Sequence, residues 1–243
     1  KHICNKWIRS IWERNKKNIL KLIKKKKFSL VVKSIYEFTW NEYCNWYIEF
    51  SKEIIKTNYR ETKKTLKNIL KEIIKCLHPI APYITEEIWQ NIMTNKKSII
   101  EENYPKYKKK YINKKIEKDV NLIKSMILII RKIKTTLNIE KNDNIEIKIS
   151  NINKHKKQII NKNINLIKKK SKINEINIIY LKNNNIKHNL FENIDNIKIY
   201  INVKNSKKLN KVKKEIINIE KQTFILEKLF NNKLFQKNAP LNI

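Results

Sequence analysis

Arginine is rare in this sequence, and we consider first which arginines could bind a nucleic acid. The chain has only four arginines among 56 basic residues. A guanidinium group is planar, so it can stack on a base and also donate two hydrogen bonds to a phosphate. Three arginines and one lysine of the predicted helical part of the chain are therefore candidate contacts; the alternative for each is a solvent-facing charge or an intramolecular ion pair. These candidates are Arg9, Arg14, Arg131 and Lys134.

A second basic cluster lies near the end of the chain, on a predicted helix. Its lysines could follow a phosphate backbone, which binds proteins mainly through such charges. Each lysine alone could equally be a solvated surface charge. The candidates in this cluster are Lys207, Lys208, Lys211, Lys213 and Lys214.

The composition favours a polyanionic partner. The 243 residues carry a formal net charge of +34, from 56 basic and 22 acidic residues. A charge of this size attracts nucleic acid. Lysine, asparagine and isoleucine dominate everywhere in the chain, however, so part of the charge reflects a compositional bias rather than function.

Several kinds of active site are excluded by residue types. Glycine is absent, where an average chain of this length holds about 17. A glycine-rich phosphate loop or a dinucleotide fingerprint is therefore impossible. The cysteines, Cys4, Cys44 and Cys76, lack metal-ligand spacing, so we expect no metal site and buried, reduced thiols. His78 has no identifiable nucleophile or carboxylate partner. No apolar run reaches the ~20 residues that span a bilayer, and the start has no signal-peptide layout, which predicts a cytoplasmic protein without membrane contact.

The elements that must position the candidate contacts are predicted to be mainly helices. Apolar spacing predicts four or five helices over residues 1–139, and the pattern at 62–77 is the clearest. Five rings at spacings of four and three line one face of the helix at 29–55, which predicts that they are core. The alternative is that one or two of them reach the surface and stack on bases. These rings are Tyr36, Trp40, Tyr43, Tyr47 and Phe50.

The pattern changes at about residue 140. Period-two alternation predicts strands at 144–149 and 195–203. Residues 175–181 are predicted to form a further strand, and residues 153–170 a helix. Residues 140–203 are therefore predicted to form a small α/β domain. Residues 204–243 are predicted to form an arm whose apolar residues alternate spacings of three and four, as in a coiled coil. The predicted fold class is mainly α: a helical bundle, a small α/β domain and a coiled-coil-type helix.

Three segments carry a resemblance to valyl-tRNA synthetases. Residues 36–49, YEFTWNEYCNWYIE, resemble a segment of the anticodon-binding domain of that family, with Asn45 where the family pattern has aspartate. Residues 77–89, LHPIAPYITEEIW, resemble a helix–break–helix that the isoleucyl and leucyl enzymes share. The third segment is 131–134, followed by a small domain and a charged helix. The order of the segments along the chain agrees with the family.

The resemblance implies the C-terminal portion of such an enzyme. The first bundle helix would lie upstream of residue 1, and the second helix of the arm would be missing. The family ligates valine to its tRNA with ATP and magnesium, but neither of its nucleotide-binding signatures occurs here, so this chain alone is predicted to be inactive and to need no cofactor. The implied partners are valine tRNA and an upstream catalytic domain of the same monomeric enzyme. The alternatives are a freestanding basic RNA-binding module and the matching part of an isoleucyl or leucyl enzyme.

Overall fold

The computed structural model describes most of the first 172 residues and shorter segments of the rest. The described residues are 2–93, 97–136, 144–150, 152–172, 176–181, 191–194, 197–204, 218–219 and 222–223. They divide into two compact units. The first contains the described residues up to Lys132 together with Ile152–Ser171, and the second contains those of Ile133–Asn151 and from Lys172 onward.

The first unit is helical, and the fold class predicted for this part of the chain, a bundle in a mainly α protein, is confirmed. Two short 3₁₀ turns, Ile99–Glu101 and Lys109–Tyr111, lie in the connection before the sixth helix. The α-helices are α1 (Ile3–Lys24), α2 (Phe28–Glu37), α3 (Glu49–Ile54), α4 (Tyr59–Leu77), α5 (Pro82–Ile92), α6 (Lys114–Thr136), α7 (Lys154–Lys162) and α8 (Ile164–Ser171).

Helix α1 is central to the bundle because it is buried along most of its length. Trp7, Ile8 and Ile19 are completely buried in it. The helix contacts α2, α4 and the turn Lys109–Tyr111. Tyr47 donates a hydrogen bond of 2.9 Å to Asn5 Oδ1, so a polar contact also joins α1 to the aromatic segment. Helix α1 can therefore present side chains to several neighbours at once.

The aromatic segment is wound as a π-helix over Phe38–Ile48, and this corrects the predicted ring stripe. A π-helix bonds residue i to residue i+5, so residues five apart come to share a face. Phe38 and Tyr43 are both buried, and Phe38 packs on Trp12 with ring centroids 4.6 Å apart. Tyr36 and Trp40 are instead 62% and 55% exposed. The prediction that all five rings are core was therefore wrong for these two.

Helix α5 begins at Pro82, which suits a first helical position because its nitrogen needs no hydrogen-bond partner. Trp89 is buried, packs with Ile74 and Ile99, and donates from Nε1 to the Lys97 carbonyl at 3.0 Å. Ile84 is 56% exposed, so the side of α5 that carries it faces solvent.

The second unit contains a four-stranded sheet. Its strands are β1 (Asn144–Ser150), β2 (Ile176–Leu181), β3 (Phe191–Ile194) and β4 (Ile197–Lys204), in the order β2-β1-β4-β3. β1 pairs parallel with β2 and antiparallel with β4, and β3 pairs antiparallel with β4. Three of these strands were predicted, and β3 was not.

The helices between β1 and β2 are grouped with the bundle rather than with the sheet. Helix α8 is held to α3 by ion pairs from Lys169 to Glu53 at 2.6 Å and from Lys170 to Glu49 at 3.1 Å. These lysines hold the pKa values of both carboxyl groups below their usual range; Lys52 contributes the largest effect at Glu49.

The predicted boundaries near residues 139 and 203 stay a prediction. The predicted arm lies outside the described residues, apart from helical backbone at 218–219 and 222–223.

The cysteines differ in exposure, which predicts an order of reactivity. Cys4 and Cys76 are buried, and burial raises the pKa of both thiols, that of Cys76 to about 12. Cys44 is only partly buried, although desolvation raises its pKa as well. Since the thiolate is the reacting species, we expect iodoacetamide to alkylate Cys44 at least about tenfold faster than Cys4 or Cys76.

Mass spectrometry of peptides from the native chain measures the three alkylation rates. The same experiment in denaturant is the control, and there the rates should converge. Alkylation of Cys4 as fast as Cys44 under native conditions would contradict the burial described here.

Candidate nucleic-acid interface

A cleft of about 580 Å³ opens between three elements of the bundle: α1, α4 and the turn Lys109–Tyr111. Each wall follows from local sequence. On α4, residues four apart share a face, so Arg60, Lys64 and Asn68 line the cleft in a row. Arg9 and Glu13, also four apart, line it from α1. The cleft therefore lies between a polar row on α1 and a polar row on α4.

The third wall is fixed to α1 by hydrogen bonds. The backbone N–H of Lys108 donates to Glu13 Oε2 at 2.6 Å, and the N–H of Asn113 donates to Ser10 Oγ at 2.7 Å. Between these two anchors lies Tyr111, whose side chain lines the cleft. The ring of Tyr111 is thus held at a defined place although its segment has little regular structure.

Arg9 lies across the cleft from a threonine and against a tyrosine. Its guanidinium carbon is 5.3 Å from the centroid of the Tyr111 ring, within the range of a cation–π contact. Its Nη2 donates to Thr65 Oγ1 at 3.4 Å. The guanidinium is therefore held in place by two neighbours. An ordered arginine of this kind offers a flat surface on which a base can stack.

Acidic side chains also line the cleft, and Glu13 and Glu72 among them accept hydrogen bonds from other parts of the bundle. Glu72 accepts from Trp12 Nε1 at 2.6 Å and from Lys16 Nζ at 2.7 Å. Lys16 Nζ also donates to Glu13 Oε1 at 3.0 Å. Lys16 is buried, so its positive charge lies beneath the cleft floor and offsets these carboxylates.

The cations at the mouth of the cleft are less engaged. Arg60 and Lys64 are exposed, and in the part of the chain that the structure describes neither forms an ion pair. The cleft therefore combines exposed cations with a positioned arginine–tyrosine pair. This arrangement suits a ligand that carries both a negative charge and a flat ring.

The structure gives different surroundings to the other predicted contacts in the bundle. Arg14 forms an ion pair of 3.0 Å with Glu117, although 56% of its side chain remains exposed. Arg131 donates from Nε and Nη2 to the Lys170 carbonyl, at 2.9 and 2.7 Å. Lys134 donates to the Lys172 carbonyl at 2.7 Å. Arg9 thus lines the cleft, while these three are each joined to another element.

Sequence reasoning missed three contributors to the cleft. Arg60 and Lys64 carry a detectable signal, because their spacing of four puts them on one face of a clearly predicted helix. Tyr111 carries none, since it lies outside any periodic pattern. The lysines predicted at 207, 208, 211, 213 and 214 lie outside the described residues.

Within the described ranges, no group of three or more histidine, cysteine or acidic side chains could hold a metal ion. The helices of those ranges also include none that is long and apolar enough to cross a bilayer.

The fold and the cleft define a basic helical domain suited to an anionic ligand with planar groups. The family model described as the anticodon-binding domain of tRNA ligase matches residues 5–149, more than half of the chain. The chain belongs to this family.

Relatives of this chain are valine–tRNA ligases. The enzyme of Buchnera aphidicola subsp. Schizaphis graminum is 30% identical over 253 aligned residues, which cover 99% of this chain and 26% of the relative. That of Legionella pneumophila strain Lens is 35% identical over 186 residues, 72% of this chain and 20% of the relative. That of Blochmanniella floridana is 31% identical over 252 residues, 97% of this chain and 26% of the relative. The chain thus spans about a quarter or less of each relative.

Proposed function

We propose that this chain supplies tRNA recognition to a valine–tRNA ligase, as the C-terminal part of that enzyme. The observation that carries the proposal is the match of residues 5–149 to the anticodon-binding family, joined to similarity with valine–tRNA ligases over 99% of the chain. The basic cleft of the bundle supports it, because an anticodon presents phosphates and unstacked bases together.

In this proposal the chain binds the tRNA, and the rest of the ligase catalyses the reaction. Valine activation would use ATP and magnesium in a catalytic domain on the preceding polypeptide, in a monomeric, cytoplasmic enzyme. Neither of the family's nucleotide-binding signatures occurs in this chain, so it should not form valyl-adenylate alone. The terminal arm would form a coiled coil whose lysines follow the tRNA backbone.

The proposed contacts are of two kinds, with bases and with phosphates. Arg9 would stack on a base, while Arg14, Arg131 and Lys134 would meet phosphates from the outer surface of their helices. The five arm lysines would add further phosphate contacts. Phosphate contacts and stacking give affinity with little sequence preference, whereas hydrogen bonds to the edges of bases give preference for one tRNA.

The proposal predicts a preference among tRNAs. The 243-residue chain should bind valine tRNA at least about tenfold more tightly than a non-cognate tRNA, the size of one or two lost base contacts. Filter binding or fluorescence anisotropy at about 150 mM salt measures both affinities, with a non-cognate tRNA of equal length as the control. Equal affinities would leave only charge and would refute specific recognition.

A steep dependence on salt is also expected. If the chain meets six to ten phosphates, affinity for valine tRNA should fall by about 10³ or more between 50 and 200 mM salt. The measurement is a binding titration at four or more salt concentrations. A slope of log affinity against log salt close to zero would contradict a phosphate-based interface.

A further inference from the structure

We propose that the cleft between α1, α4 and the turn Lys109–Tyr111 holds one unpaired nucleotide of the bound tRNA. Its phosphate would contact Arg60 and Lys64, and its base would stack on the Arg9–Tyr111 pair. This assignment rests on the proposed function and locates one part of the tRNA-binding site in this cleft. The volume of about 580 Å³ is within the ~300–1,000 Å³ range of sites that enclose small molecules.

The phosphate end of the site is defined by charge. Arg60 and Lys64 are exposed at the cleft mouth and form no ion pair with the described residues. Two acids of the lining, Glu13 and Glu72, are instead bound to Lys16 at 3.0 and 2.7 Å. A phosphodiester at the mouth would therefore meet two cations that form no ion pair with the described residues, while Lys16 partly neutralises two of the nearby carboxylates.

The base end of the site is defined by geometry. Arg9 is fixed between Thr65 Oγ1, at 3.4 Å, and the Tyr111 ring, at 5.3 Å. A second cation, Lys110 Nζ, is 5.2 Å from the same ring. A base placed on this pair would meet two side chains that already contact each other in the free protein, so binding would cost little side-chain entropy.

The occupant is an unpaired nucleotide because a base within a duplex hides both faces in its own stack. Loop nucleotides expose these faces, and stacking on them tolerates any base. A free mononucleotide has the same chemistry, so the experiment has to separate it from tRNA. Polyelectrolyte attraction favours the tRNA, since the chain carries a net charge of +34.

The test compares two double variants on the same helix. Arg60→Gln with Lys64→Gln removes two cations of the cleft, and Lys63→Gln with Lys67→Gln removes two exposed cations of α4 that do not line it. Both pairs change the net charge equally. We expect the cleft pair to weaken binding of valine tRNA about tenfold more than the control pair. Equal losses would overturn the assignment of the phosphate.

The base contact is tested separately through the ring. Tyr111→Ala should weaken tRNA binding about tenfold without changing the salt slope, because it removes a stacking surface and no charge. Tyr111→Phe keeps the ring and should bind like the unmodified chain. Circular dichroism confirms that each variant is folded, and crosslinking by ultraviolet light should join the cleft to a loop nucleotide. A normal affinity for Tyr111→Ala, or crosslinks from the cleft to a paired stem only, would overturn the proposal.

Adenosine monophosphate is the probe for a free nucleotide. Micromolar binding of this probe that Tyr111→Ala abolishes, while tRNA binding stays unchanged, would overturn the tRNA assignment in favour of a mononucleotide site. If the unmodified chain shows no preference for valine tRNA, the proposed function itself fails. If it shows the preference and no cleft variant alters it, only this further inference fails.

Discussion

Replacing Lys16 by methionine is expected to lower the free energy of unfolding of the bundle by about 3–5 kcal/mol, the usual cost of breaking a buried ion pair from one side. Only 1% of the Lys16 side chain is exposed. Its ammonium group donates to Glu13 Oε1 at 3.0 Å, to Glu72 Oε2 at 2.7 Å and to the Lys106 carbonyl at 3.3 Å. Methionine fills similar space but leaves all three acceptors without this donor.

The expected loss of stability is large because only 5% of the Glu13 side chain is exposed, so water cannot replace the ammonium group beside it. Urea unfolding of the full chain, followed by circular dichroism, measures the change. Lys17→Met is the matched control: Lys17 is exposed and only lies over the Tyr107 ring at 5.9 Å, which is worth about 1 kcal/mol at most.

A double variant separates the charge from the packing. Glutamine at position 13 is neutral, and its side-chain oxygen can still accept from the Lys108 N–H. Lys16→Met combined with Glu13→Gln should therefore recover part of the lost stability. A loss below about 1 kcal/mol for Lys16→Met would show that the network contributes little.

The predictable part of this fold is the part with regular spacing. The apolar stripe of α4 was read from the sequence within three residues at its start and correctly at its end, since Pro79 stops the helix. Strands β1 and β4 were predicted from alternation, and β2 was predicted from the sequence as well. Strand β3 has only four residues, too few for a period-two pattern to stand out.

The cleft was predictable only in part, because its residues come from distant positions in the sequence. Arg9 was identified by its chemistry, yet its neighbours Thr65 and Tyr111 are 56 and 102 positions further along the chain. Local periodicity places a residue on a face of its own helix, but it does not say which distant face it meets. The pairing of Arg14 with Glu117 and the bonding of Arg131 to the Lys170 carbonyl are long-range facts of the same kind.

A large loss of stability is also expected on replacing Phe38. This loss tests whether the aromatic segment is a π-helix or an α-helix. Phe38 is 2% exposed and packs on Trp12 at a ring distance of 4.6 Å, so Phe38→Ala should cost about 3–5 kcal/mol. Trp40, two residues on, is the matched control. It is 55% exposed, so Trp40→Ala should change stability by only about 0.5 kcal/mol, as most surface substitutions do.

The same pair of variants distinguishes two helical geometries. In an α-helix, spacings of four and three would put Trp40 on one face with Tyr43 and Tyr47, and Trp40→Ala would then be the costly change. In a π-helix the i to i+5 bonds bring Phe38 and Tyr43 to the buried face together and leave Trp40 outside. Urea unfolding of both variants therefore distinguishes the two geometries. A larger loss of unfolding free energy for Trp40→Ala than for Phe38→Ala would indicate an ordinary α-helix through this segment.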